Sequence, residues 1–100
     1  MRPLDTTTHA GVIAEGGTSQ EVAPRNPRRD LLVIKNPSST DEPLFYAFGA
    51  PADVDDSCPS LEPGESLVLE VAVPSESIHL TAETEGHRYV ILIGQRGGIE

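Results

Sequence analysis

The chain has 100 residues, 37% of them hydrophobic, with two Tyr, two Phe, no Trp and one cysteine, and 16 acidic against 7 basic residues give a formal charge of −9. That size holds one small domain with a thin core, and the acidic balance repels phosphate backbones, which argues against nucleic acid as a partner. Lone Cys58 excludes an internal disulfide or a multi-cysteine metal site, no apolar run reaches membrane length, and Met1 to Thr8 lack the apolar stretch of a signal peptide, so a soluble protein made in the cytoplasm is expected.

Residues 1–29 are broken by Pro3, Gly11, Gly16, Gly17, Pro24 and Pro27 around one weak apolar patch, Val12-Ile13-Ala14. They read as an extended N-terminal arm, or one irregular strand, ordered only when packed on something. Arg25, Arg28 and Arg29 gather at its end, where Pro24 and Pro27 forbid helix. The compact domain is expected over residues 30–100.

Leu31-Leu32-Val33-Ile34 is a continuous apolar run, the pattern of a strand buried on both faces. Turn residues Asn36 to Asp41 separate it from Leu44-Phe45-Tyr46-Ala47-Phe48, a strand that starts after Pro43 and ends at Gly49-Ala50-Pro51. Alternation places Phe45 on one face and Tyr46 with Phe48 on the other. An acidic loop, Ala52 to Pro59, leads to a short strand near Leu61. In Glu62-Pro63-Gly64-Glu65, Pro and Gly occupy the centre of a type II turn. Leu67 to Val71 stops before Pro74; Ile78-His79-Leu80-Thr81-Ala82 alternates apolar and polar; Tyr89 to Ile93 follows the Glu85-Gly86 turn. Short strands at this spacing, without helical periods between them, predict an all-β fold: a small antiparallel sandwich or barrel of about six to seven strands, counting one strand from the extended N-terminal arm near Val12 and a short one near Leu61.

Catalytic and metal chemistry find little footing. No Gly-x-Ser-x-Gly elbow is present, and Gly94-Gln95-Arg96-Gly97-Gly98 lacks the Lys-Ser/Thr ending of a phosphate loop. His9, His79 and His87 are far apart in sequence and read as surface histidines. Asp53, Asp55 and Asp56 cluster in one loop but lack the EF-hand Gly and Glu, so a solvated acidic loop is expected there. The expectation is therefore a non-enzymatic protein with no cofactor and no metal, whose candidate residues are for binding a partner: Val12 and Ile13 in the arm, and Arg25, Arg28 and Arg29 at its junction. Arginine suits that role because its planar fork bonds carboxylates bidentately.

Several segments taken together resemble the small β-sandwich structural proteins of tailed-bacteriophage virions. They are Arg29 to Asn36 (R-x-x-L-x-I-x-N), Leu44 to Ala52, Leu61 to Ser66 (L-x-P-G-x-S) and Val73 to Leu80 (V-P-x-x-x-I-x-L), in matching order across residues 28–94. The resemblance implies a capsid decoration or cement protein on the outer face of the virion. As such it would bind the major capsid protein and bridge capsomers, often as a homotrimer. The alternative is a carbohydrate- or receptor-binding sandwich of a tail or fibre, against which stands the scarcity of aromatic rings for stacking on sugars.

Overall fold

The computed structural model describes residues 4–37, 39–55 and 57–96. These form eight strands: β1 Leu4–Val12, β2 Gln20–Ala23, β3 Arg29–Lys35, β4 Leu44–Phe48, β5 Ser60–Leu61, β6 Ser66–Leu69, β7 Ile78–Thr81 and β8 Arg88–Arg96. They build two four-stranded antiparallel sheets of order β1-β8-β3-β6 and β2-β7-β4-β5. The chain changes sheet at every connection except β4–β5. That strand order is a double-sheet jelly roll. The all-β sandwich expected from the sequence is present.

Alternate side chains of the two sheets meet to form the core. Leu32, Ile34 and Ile91 of the first sheet and Leu44, Ile78 and Leu80 of the second are fully buried, joined by Ile13 and Ala82. Tyr46 and Phe48 pack against the core as a tilted ring pair with centroids 5.9 Å apart. The type II turn is where the sequence puts it. Gly64 has a φ of 87°, which a side chain would strain, and the Glu65 amide donates to the Glu62 carbonyl at 2.9 Å.

Two expectations change. Residues 4–29 are not an extended arm with one irregular strand near Val12: they supply two strands of the sandwich and the start of a third. β1 pairs with β8 in unbroken register from Leu4–Arg96 to Val12–Arg88, and β2 borders the second sheet. Ile13 between them is fully buried, and Arg29 is the first residue of β3, so no boundary falls at residues 29–30. The segment looked like an arm because Thr7, His9 and Gly11, at the inward register positions of β1, give no apolar alternation. Main-chain pairing holds this strand instead. The turn after it is also built in: a Cβ on Gly16 would sit 2.4 Å from the Glu83 carbonyl oxygen, and the Gly17 amide donates to the Ala82 carbonyl at 2.7 Å.

The second change concerns β3. Its apolar run is buried on one face only, with Leu32 and Ile34 inside while Leu31 and Val33 are half-exposed. Each sheet of the sandwich covers just one face of the other.

Candidate functional site

The outer face of the first sheet follows from register. Thr6, Thr8, Ala10 and Val12 of β1 lie beside Gly94, Leu92, Val90 and Arg88 of β8. Next come Leu31, Val33 and Lys35 of β3, then Val68 and Ser66 of β6. Val12 is 50% exposed and Val68 54% exposed, while Leu31, Val33, Val90 and Leu92 are half-buried. These register positions hold two cations, Lys35 and Arg88, and no carboxylate, on a chain with 16 acidic residues. Two carboxylates border the face, half-buried Asp30 at the register shift of β3 and exposed Glu70 just past β6, while the exposed Glu15, Glu21, Asp53, Glu62, Glu65, Glu76, Glu83 and Glu85 belong to loops or to the other sheet. The face is thus an apolar, weakly cationic plate on an acidic body.

The five residues expected to bind a partner separate. Val12 lies on this plate. Ile13 is in the core, its amide donating to the His87 carbonyl at 2.9 Å, and cannot meet a partner. Arg25 and Arg28 are exposed in the β2–β3 connection. Arg29 is 3% exposed. Its Nη1 donates to the carbonyls of Pro74 (2.7 Å) and Glu76 (3.0 Å), and its Nη2 to Pro24 (3.0 Å), while Nε is buried without a partner. Burial lowers its pKa from the usual arginine value and the Glu76 charge opposes that, but a guanidinium stays protonated in either case. Arg29 is therefore a structural clamp that ties the β2–β3 and β6–β7 loops together. The β6–β7 loop displays Val71 at 85% exposure beside Ala72, whose φ is 55°.

A second buried node was not legible in the sequence. Asn36, fully buried at the end of β3, donates through Nδ2 to the carbonyls of Glu42 (2.9 Å) and Leu61 (2.8 Å). Its Oδ1 must then be the acceptor for the Thr40 hydroxyl (2.6 Å) and for His87 Nε2 (2.9 Å), which fixes the Nε2–H tautomer of His87. His87, expected on the surface, is 7% exposed. Burial pushes its pKa below the ordinary value of 6.5, partly offset by the Glu42 carboxylate. A surface groove of about 250 Å³ runs over this node, lined by residues including Thr40, Asp41, Glu42, Thr84, His87 and Arg88. None of its lining residues is Phe, Tyr or Trp.

Other chemistry is sparse. Ser77 Oγ and His79 Nε2 lie 2.9 Å apart, two residues apart on one strand edge, but neither borders a groove and no carboxylate bonds His79 among the described residues. The Asp55 carboxylate accepts from the hydroxyl and the amide of Ser57, the hydroxyl being the larger cause of its lowered pKa. Asp56 lies outside the described residues. Among the described residues no three His, Cys, Asp or Glu side chains gather where one ion could bind. Cys58 is half-buried, its sulfur accepting from the Asp53 amide at 3.3 Å. No helix is long and apolar enough to cross a membrane.

No family model and no curated protein matches the chain. Solved structures do. A Bacillus endospore appendage structure, described as a novel family of disulfide-linked pili, aligns over 96% of this chain and 90% of its own at 13% identity and a TM-score of 0.53. IMPa from Pseudomonas aeruginosa, solved with an O-glycopeptide, aligns at 9% identity and a TM-score of 0.58. This chain spans only 13% of it. A de novo designed double-stranded β-helix aligns over 91% of this chain and 99% of its own, at 18% identity and a TM-score of 0.50. At these identities the likeness is one of fold, and none of the three is a phage head protein.

Proposed function

We propose that the chain is a non-enzymatic structural module of a larger protein shell, of the capsid-decoration kind that its motifs resemble, and that it docks through the outer face of the β1-β8-β3-β6 sheet. One observation carries the reading. The apolar runs of β3 and β8, a pattern proper to strands covered on both sides, lie in a sheet covered on one side, so half of each run faces outward. Jelly rolls recur in viral capsids, which agrees with this role without assigning it. The complementary surface is apolar and rimmed by carboxylates that meet Lys35 and Arg88. Bridging neighbouring capsomers at the virion surface then needs no chemistry from the module. A sugar-binding role has less support, since the groove over His87 holds no Phe, Tyr or Trp and the His87 ring itself is buried.

The test uses heads of the encoding phage assembled without the chain. Purified protein should co-sediment with them and raise the temperature at which they rupture. Val68→Asp should lose co-sedimentation while melting like the parent, because Val68 is exposed. Heads that bind none of the wild-type protein, or bind V68D equally well, overturn the reading.

A further inference from the structure

A jelly roll made of two open sheets has four edge strands, and each edge offers unpaired main-chain groups to any strand that approaches. Three of the four are guarded here. β5 has two residues, between Pro59 and Pro63. β2 has four, with a register shift between Glu21 and Ala23 and Pro24 directly after it. β6 has four, flanked by Glu65 and Glu70. β1 is different. It has nine residues, contains no Pro and no Lys, keeps unbroken register with β8, and its other edge has no partner among the described residues. Such a strand is about 30 Å long. A slot of about 180 Å³ opens beside it, between the sheets, lined by Thr7 and His9 of β1, Val22 and Ala23 of β2 and Ile93 of β8.

We infer that β1 is a self-recognition edge, at which two copies of the chain pair antiparallel across a two-fold axis through Thr8. Self-complementary register favours this partner, and charge leaves β1 as an edge where it can approach. The body carries −9, so a second copy is repelled by most surfaces, while β1 holds one carboxylate position in nine residues, Asp5. Full overlap of Leu4–Val12 with its symmetry mate centres the pairing on Thr8. Thr7 then faces His9, Thr6 faces Ala10, Asp5 faces Gly11 and Leu4 faces Val12, with no like charges opposed. Directly opposed residues point to the same side of a sheet. The two outer plates therefore join into one eight-stranded face, β6-β3-β8-β1 continued by its mate, and the mate's Thr7 and His9 positions lie at the mouth of the slot.

This deepens the docking proposal by supplying a double-width plate, but it is tested on the purified chain alone. Sedimentation should show a concentration-dependent dimer. Thr8→Lys sets two ammonium groups at the axis on an exposed, fold-neutral position and should abolish the dimer without changing the melting temperature. In a Cys58→Ser background, oxidation should link Thr8→Cys chains at least about tenfold faster than Ala10→Cys chains, whose thiols lie four residues out of register with each other. A strictly monomeric chain, a trimer, a dimer that survives T8K, or equal linking at both sites overturns the inference. A T8K monomer that still docks on heads leaves the docking proposal standing; a wild-type dimer that does not dock removes only that proposal.

Discussion

Arg29 and Arg25 show how little an arginine's place in the sequence says about its work. Both belong to the same basic stretch, yet the guanidinium of one is sealed among three carbonyls while the other is exposed. Replacing Arg29 by Ala leaves those carbonyls without their charged donor and should cost about 2–4 kcal/mol in urea unfolding, whereas Arg25→Ala should stay within about 0.5 kcal/mol. Had Arg29 been a docking residue, the same change would spare stability and weaken assembly. His87 sets a pH dependence whose sign follows from burial. Its native pKa lies below the unfolded value of 6.5, so the unfolded chain takes up the proton first. The stability that neutral His87 contributes is complete above that value and is lost as pH falls through 6.5 toward the native pKa. The melting-temperature gap between wild type and His87→Gln should thus be wide at about pH 7.5 and narrow at about pH 5. A gap constant with pH refutes this assignment. Neither residue's role was legible, because Asn36, which orients His87, and two of the three carbonyls that hold Arg29, those of Pro74 and Glu76, come from segments 45 to 51 residues away.

Strand β1 carries the largest consequence among the elements. Read as an arm, it is dispensable to the fold and needed for binding; read as an edge strand, the reverse holds. Deleting residues 1–13 removes all pairing of β8 on that side and the fully buried Ile13 side chain. We expect the truncated chain to lose its cooperative thermal transition, since a buried isoleucine alone contributes about 2–5 kcal/mol. A truncation that melts like the parent restores the arm. Strands β4 and β7 were legible nearly to the residue, and β8 over Tyr89 to Ile93, although it runs on through Gly94 to Arg96. β1 was not, because half of it faces solvent on the outer plate and the inward register positions hold Thr7 and His9, both exposed, and Gly11, where the pattern asks for Val or Ile. Gly11 leaves room there for Tyr89: a Cβ would approach the Tyr89 hydroxyl to 2.7 Å, so the ring would have to shift.

At the scale of the whole molecule, the outer plate holds Lys35 and Arg88 although the chain as a whole carries a formal charge of −9. Docking of the plate on a carboxylate-rimmed partner should therefore weaken with added salt, and Lys35→Glu with Arg88→Glu should remove most of that salt dependence along with the binding. Binding that is indifferent to salt and to both reversals leaves a purely apolar contact. The sequence by itself determined what is local: the all-β class and the turns from Asn36-Pro37 to Glu85-Gly86. It did so because turn geometry and side-chain alternation act over two to four residues. Only the tertiary structure decided that the first strand pairs with the last, which buries Ile13 and His87 and leaves one long edge and one apolar plate uncovered. Those outcomes depend on contacts between segments some 80 residues apart, and what a residue faces across that distance is a property of the packed sheets.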